Sequence, residues 1–465
     1  MTTLFSAINS SATTHNGGVT NASSLNKNTD FFFLAGASRG KDITATFAAA
    51  LAENSEIAVR ILQWVRDARN GAGERDTFRK LFGYLVRSEP TLAKRILAKI
   101  PMLGRWDDLE IAFGTSHERD ALRMISAGFK DPSVQGLCAK WMPRQGPVAN
   151  KIRSYLQLTP KQYRKLLVGL STTVEQKMCA DKWADIEYSH VPSVASSRYQ
   201  KAFLKHDPVG YGAYKTKLTS GEAKINASVS YPYEVIRAMR NGDATVANAQ
   251  WDALPNYLEG SDENILPVVD VSASMTWVKV SGEITPLDVA ISLGLYTSER
   301  MGGTFKNQFV TFSTSPVMIE TKGTLLHRYS QMQDAPVGGS TNIQSVFRTI
   351  LKAATKHKVA EAEMPTKILI LSDMEFNSCT DSASRSVSGM DMIRSEYRAA
   401  GYKLPQVIFW NLNARAGNCP VTYNETGTAL VSGFSPSICR SVLGGEDMTP
   451  YNVMLKTILV DRYDY

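Results

Sequence analysis

The chain has 465 residues, 43% of them hydrophobic and 21% charged, with a formal net charge of +8, which fits a globular protein of two or three domains rather than a disordered or fibrous one. No apolar run approaches the roughly 20 residues of a membrane span, and the N-terminus lacks the basic and apolar stretches of a secretory signal. Cys138, Cys179, Cys379, Cys419 and Cys439 are scattered without a Cys-x-x-Cys pair, which argues against a disulfide framework or zinc site and for a reducing, cytoplasmic compartment.

Residues 1–30 are rich in Ser, Thr and Asn and are expected to form a flexible lead-in. From 31 to 260 the apolar residues recur at helical spacing, as in Ile57, Ile61, Leu62 and Val65, then Phe78, Leu81, Phe82 and Leu85. Thr159-Pro160 is an N-cap and N1 pair, and Tyr163, Leu166, Leu167, Leu170, Val174 and Met178 continue from it as one apolar stripe. Successive amphipathic helices with short loops predict an all-α domain of stacked, HEAT-like pairs, although no fixed-period repeat is present.

The positive charge is concentrated in this half. Residues 1–260 hold 34 Lys and Arg against 24 Asp and Glu, whereas residues 261–465 hold 18 against 20. Such asymmetry suits an anionic polymer as partner. Lys161, Arg164 and Lys165 fall on one face of a predicted helix, and Arg198, Lys201 and Lys205 on one face of another. Tyr199, Phe203 and His206 are interleaved with the second set. A cationic track with aromatic neighbours suits phosphates and stacked bases. The same pattern also describes an ordinary solvated helix face, with Tyr199 and Phe203 in the core. Arg66, Arg69 and Arg75 surround a Gly-rich turn, where a structural role at a helix corner is the preferred reading.

From about 262 the rhythm changes to alternating strands and helices. Strands are predicted at 265–271, 308–312, 316–320, 367–371, 406–410 and 429–431, with helices near 286–300, 343–357, 390–400 and 451–459. This predicts a doubly wound, mostly parallel, Rossmann-like sheet over 261–465, so the whole chain reads as α followed by α/β. Asp270, Ser272 and Ser274 follow the first strand as Asp-x-Ser-x-Ser, Thr341 lies in the loop GGSTN, and Asp373 ends the strand KILILS. Carboxylates and hydroxyls are hard donors that suit Mg²⁺ or Mn²⁺. In this order and placement they resemble the metal-ion-dependent adhesion site of the von Willebrand factor A family. That resemblance implies an open coordination position for a partner's carboxylate or phosphate.

The two halves together resemble TROVE-type proteins, the family of the Ro autoantigen. The segments that carry this are Phe33-Leu34-Ala35-Gly36, Arg66–Arg75 (RDARNGAGER), Met178–His206, Leu371–Asn377 (LSDMEFN), Phe409–Asn413 (FWNLN) and Gly427–Ser435. The resemblance implies a helical ring that binds small structured RNAs or single-stranded 3′ ends. The competing expectation is a protein-interaction adaptor whose metal takes a partner's carboxylate, for example from a AAA+ ATPase. Gly36–Asp42 misses the phosphate-loop spacing, and no nucleophile elbow or His-Glu-x-x-His motif occurs. The chain therefore reads as a binder and not an enzyme.

Overall fold

The computed structural model describes residues 11–14, 17, 19–171, 173–227, 229–242, 244–280, 282–302, 304–312, 315–336, 343–376, 389–413, 415, 417–443 and 447–465. Strands β1 (Ser11–Thr13) and β2 (Val19–Asn21) pair antiparallel. Helices follow one another from Lys27–Ala35 to Ala244–Asp252. The rest of the chain alternates β3 (Ile265–Asp270), β4 (Gln308–Phe312), β5 (Met318–Glu320), β6 (Lys367–Ser372), β7 (Gln406–Asn411) and β8 (Thr428–Ser432) with helices. The protein is thus a helical region followed by a six-stranded α/β unit. No described helix is long and apolar enough to cross a membrane.

The sheet order is β5-β4-β3-β6-β7-β8, parallel except for the edge strand β5. The chain winds outward from β3 in one direction and from β6 in the other. The topological switch point therefore lies between β3 and β6, where such sheets bind ligands at the carboxyl ends of the strands. Alternation within the strands explains the layering. Val269, Leu371, Ile408 and Trp410 face one apolar core, and Val268, Ile370, Val407 and Phe409 face the other. Helices Pro286–Arg300 and Pro450–Ile458 cover the first face, and Ile343–His357 and Gly389–Ala399 the second.

The helical half is not an independent bead. Its core is continuous with the first face of the sheet, running from Phe31, Trp64 and Trp251 to Tyr296, Trp410 and Tyr463. Residues 11–30, expected to be mobile, are instead part of this assembly in their described positions. Asn21 bridges to Cys419, and helix Lys27–Ala35, capped by the Asn26 side chain, packs on β8. The helix stops there because Gly36 N donates to Ser432 Oγ at 3.0 Å. A Cβ on Gly36 would sit 2.3 Å from the Ser432 carbonyl oxygen, so glycine is required by close approach rather than by a turn. At the other end, the C-terminal residues return to helix Ser55–Arg66. Arg462 pairs with Asp67, Tyr463 Oη donates to Asp67 at 3.0 Å, and Gln63 donates to the Tyr463 carbonyl at 2.8 Å.

One helix differs from the sequence expectation. The apolar stripe from Tyr163 to Met178 is split into Pro160–Leu170 and Val174–Cys179. Thr159 with Gln162 caps the first, and Thr173 with Gln176 caps the second. The second capping box restarts the helix within a stripe whose periodicity alone does not reveal the break.

Candidate metal centre at the switch point

The parallel register pairs Val269 with Leu371. Asp270 thus lies beside Ser372, and Asp373 lies one residue beyond. Asp270 is wholly buried. Its Oδ1 accepts from the Ser272 backbone N–H at 2.9 Å, and its Oδ2 accepts from Ser372 Oγ at 2.5 Å. Ser272 Oγ and Ser274 Oγ are 3.1 Å apart, and Ser274 also hydrogen-bonds toward Asp373. Four of the five predicted ligands are therefore brought together at the ends of two adjacent strands. Thr341 lies outside the described residues.

Burial, reinforced by the charge of Asp373, pushes the Asp270 carboxyl up to about 7. Asp373 is also raised by burial, with Arg415 acting in the opposite sense. Among the described residues no cationic side chain pairs with Asp270. A buried carboxylate pair beside two hydroxyls fits a hard divalent cation, which would supply the missing positive charge. Asp270, Ser272, Ser274 and Asp373 would hold it. Among the described residues no group of three or more His, Cys, Asp or Glu side chains is placed to hold a metal ion, so the donor set here consists of two carboxylates and two hydroxyls.

Several site residues are not apparent from the motif. Arg415, just beyond β7, reaches Asp373 Oδ2 at 3.4 Å and Glu375 Oε1 at 3.0 Å. Asn418 donates to the Met374 carbonyl at 2.6 Å and to Glu375 at 3.4 Å. Lys41, from the helical half, donates to Asn413 Oδ1 at 2.6 Å. Burial and nearby Arg415 push its amine down to about 8. Met374 takes a left-handed φ of 65° between Asp373 and Glu375, an uncommon conformation for a non-glycine residue. The only sequence signal for Arg415 is its place after the next strand of the sheet. Lys41 has none, because it arrives from a distant helix connection.

The predicted basic faces are real surfaces. Lys161, Arg164 and Lys165 are exposed on helix Pro160–Leu170, and Arg198, Lys201 and Lys205 on helix Ser193–His206. None makes an ion pair among the described residues. Phe203 is buried against Tyr188 and Tyr211 and belongs to the core. His206 is exposed and stacks on Trp183 at 4.3 Å. A groove of about 430 Å³ is lined by Leu137, Lys140, Val174, Lys177, Ile186 and Pro192 among others. It adjoins both basic helices, since helix Gln135–Trp141 packs on Pro160–Leu170 and Pro192 leads into Ser193–His206.

The arginines of RDARNGAGER behave differently. Arg66 is buried and pairs with Asp108 at 2.6 Å, while Arg75 and Arg79 reach Asp107 and Asp108. Glu74 pairs with Arg39 at 2.8 Å. The segment is a helix corner held by ion pairs.

Comparison with known families follows the same two halves. Residues 14–105 and 142–262 match a family described as a domain of unknown function (DUF2828). Residues 264–457 match a second, described as a domain of unknown function (DUF7788). The chain is similar to the uncharacterised protein L728 of Acanthamoeba polyphaga mimivirus, at 29% identity over 488 residues, covering 92% of this chain and 84% of that protein. These matches correct the resemblance drawn above, because neither matched family is TROVE or von Willebrand factor A. The short segments that suggested TROVE serve local needs here: Gly36 permits contact with β8, and Arg66 and Arg75 fix a corner.

Proposed function

We propose that this chain is a binding protein that holds Mg²⁺ or Mn²⁺ at the switch point and takes a protein partner's carboxylate at the open coordination position. The observation that carries the reading is the convergence of Asp270, Ser272, Ser274 and Asp373 at the ends of β3 and β6. This donor set has the form of a metal-ion-dependent adhesion site, with Thr341 as the proposed fifth ligand. A von Willebrand A-type layout of the sheet and HEAT-like pairing of the helices are the finer parts of the same reading. Trp277 is 78% exposed and lies three residues after Ser274. An exposed indole beside such a site supports a protein partner, because aromatic anchors dominate protein interfaces. Glu375 is tied to Arg415 and Asn418, which favours binding over general-base catalysis.

Calorimetric titration with Mg²⁺ is expected to show one site per chain in the wild type and at least about 100-fold weaker binding in Asp270→Ala, since loss of a supporting group alone costs 10–100-fold. A wild type that binds neither Mg²⁺ nor Mn²⁺ overturns the proposal.

A second reading, RNA binding by the helical half, is favoured by the exposure of all six predicted cations. Replacing Lys161, Arg164, Lys165, Arg198, Lys201 and Lys205 with Gln is expected to weaken binding of an RNA hairpin with a single-stranded 3′ tail. The slope of log K against log salt should flatten by about 4 to 5 if all six contact phosphate. Equal binding and equal salt slopes in the two proteins would exclude these faces.

A further inference from the structure

Arg415 belongs to two places at once. Its guanidinium holds Asp373 and Glu375, and the same residue lines a groove of about 300 Å³ whose apolar wall includes Phe33, Leu34, Ala45 and Ala49. Asn418 is shared in the same way, lining the groove while bonded to Glu375. Groove and cation site therefore have a common wall.

The charges make that wall responsive. Asp270, Asp373 and Glu375 contribute three negative charges when ionised, and Lys41 and Arg415 contribute two positive ones, while Lys27 and Asp30, which also line the groove, pair with each other at 3.7 Å and add no net charge. A divalent cation added to this set leaves one positive charge in excess. It also repels Arg415 while competing with it for Asp373. Asp270, Asp373 and Glu375 are buried while Arg415 is one-third exposed, so the excess positive charge faces the groove and attracts a counter-ion there.

We infer that cation loading releases Arg415 from Asp373 and makes the groove a receptor for one acidic residue of a protein partner, with an adjacent aliphatic side chain against Leu34, Ala45 and Ala49. This rests on the proposed metal site and supplies its partner chemistry. The charge selects a monoanion. The volume lies at the small end of the 300–1,000 Å³ range of ligand pockets, which suits a side chain and its neighbour rather than a larger ligand. Ala45 is exposed and Ala49 half-buried, so the apolar wall is open to an incoming chain.

The probe is acetyl-leucyl-aspartyl amide, titrated calorimetrically into the full chain with and without saturating Mg²⁺. Mg²⁺ is expected to tighten its binding about 10-fold, within the usual range of coupling between sites. The asparaginyl counterpart should show no tightening. Arg415→Gln should still bind Mg²⁺ but lose the tightening, and Ala49→Leu should weaken the dipeptide by filling the groove while leaving Mg²⁺ affinity unchanged. Mg²⁺ binding without any change in dipeptide affinity overturns the inference, as does full tightening in Arg415→Gln or an equal response to the two dipeptides. Failure of the wild type to bind Mg²⁺ overturns the metal site itself, and that result is read directly from the first titration.

Discussion

Asp270→Asn is expected to stabilise the metal-free protein and to abolish its response to Mg²⁺. The two effects have one cause. Asp270 is fully buried next to Asp373, with no cationic partner among the described residues. Asparagine keeps the shape and can still accept from the Ser272 N–H. The Ser372 hydroxyl, which now donates to Asp270 and accepts from Met374 N, can turn to accept from the new amide. A neutral isostere therefore removes the buried charge without leaving a bare polar group. At pH 8 the gain is expected to be on the order of 1–3 kcal/mol, from 1.36 kcal/mol per pKa unit reduced for relaxation around the charge. Lower thermal stability of the metal-free variant than of the wild type would refute the argument.

The sign of the pH dependence follows from the same shift. The carboxyl is raised from 3.8 to about 7 in the folded chain, so between these values the folded state binds more protons than the unfolded state. The contribution of Asp270 to stability is thus fully present below about pH 4, declines as pH rises and is lost above about 7. A bound divalent cation requires the ionised form and competes with the proton. Mg²⁺ should therefore raise the melting temperature more at pH 8 than at pH 5.5, and Asp270→Asn should show no increment at either pH. An increment independent of pH would mean that the cation sits elsewhere.

Short apolar runs were sufficient to place the strands of the α/β unit to within one or two residues, because β3, β6, β7 and β8 each carry a run of three or more apolar residues closed by a polar one. Asp270 and Asp373 were legible for the same reason: a carboxylate at the end of a buried strand stands out against the run before it. Arg415 and Lys41 were not. Their role depends on which loop crosses the switch point and on a helical region folding back over the sheet, and neither is encoded in local spacing. The Tyr163–Met178 stripe misled because a capping box can interrupt a helix while its apolar phase continues. The short motifs misled about family because glycines at close contacts and arginines at corners recur wherever the same local problem has to be solved.

Asp108→Ala is expected to be among the most damaging single substitutions in the chain, with a loss of about 3–5 kcal/mol. Asp108 is fully buried at the start of a 3₁₀ segment and accepts from Arg66 Nε at 2.7 Å, Arg79 Nε at 2.8 Å and the Arg105 backbone N–H at 3.0 Å. Burial works against its ionised form, yet Arg66 and the hydrogen bond from Arg79 hold the carboxyl below its ordinary value. Removing it strands Arg66, which is itself 2% exposed and lies against Gly104, where even a Cβ would come within 2.4 Å of the guanidinium carbon. The guanidinium has no room to swing into water, so its charge stays buried and unpaired. Arg66→Met combined with Asp108→Leu should recover much of the loss, because a buried pair replaced by apolar groups of similar size is often neutral. Urea unfolding of the three proteins measures both effects. A loss below about 1 kcal/mol for Asp108→Ala, the level of an exposed pair, would show that this corner is held by packing alone and that its arginines are available for another partner.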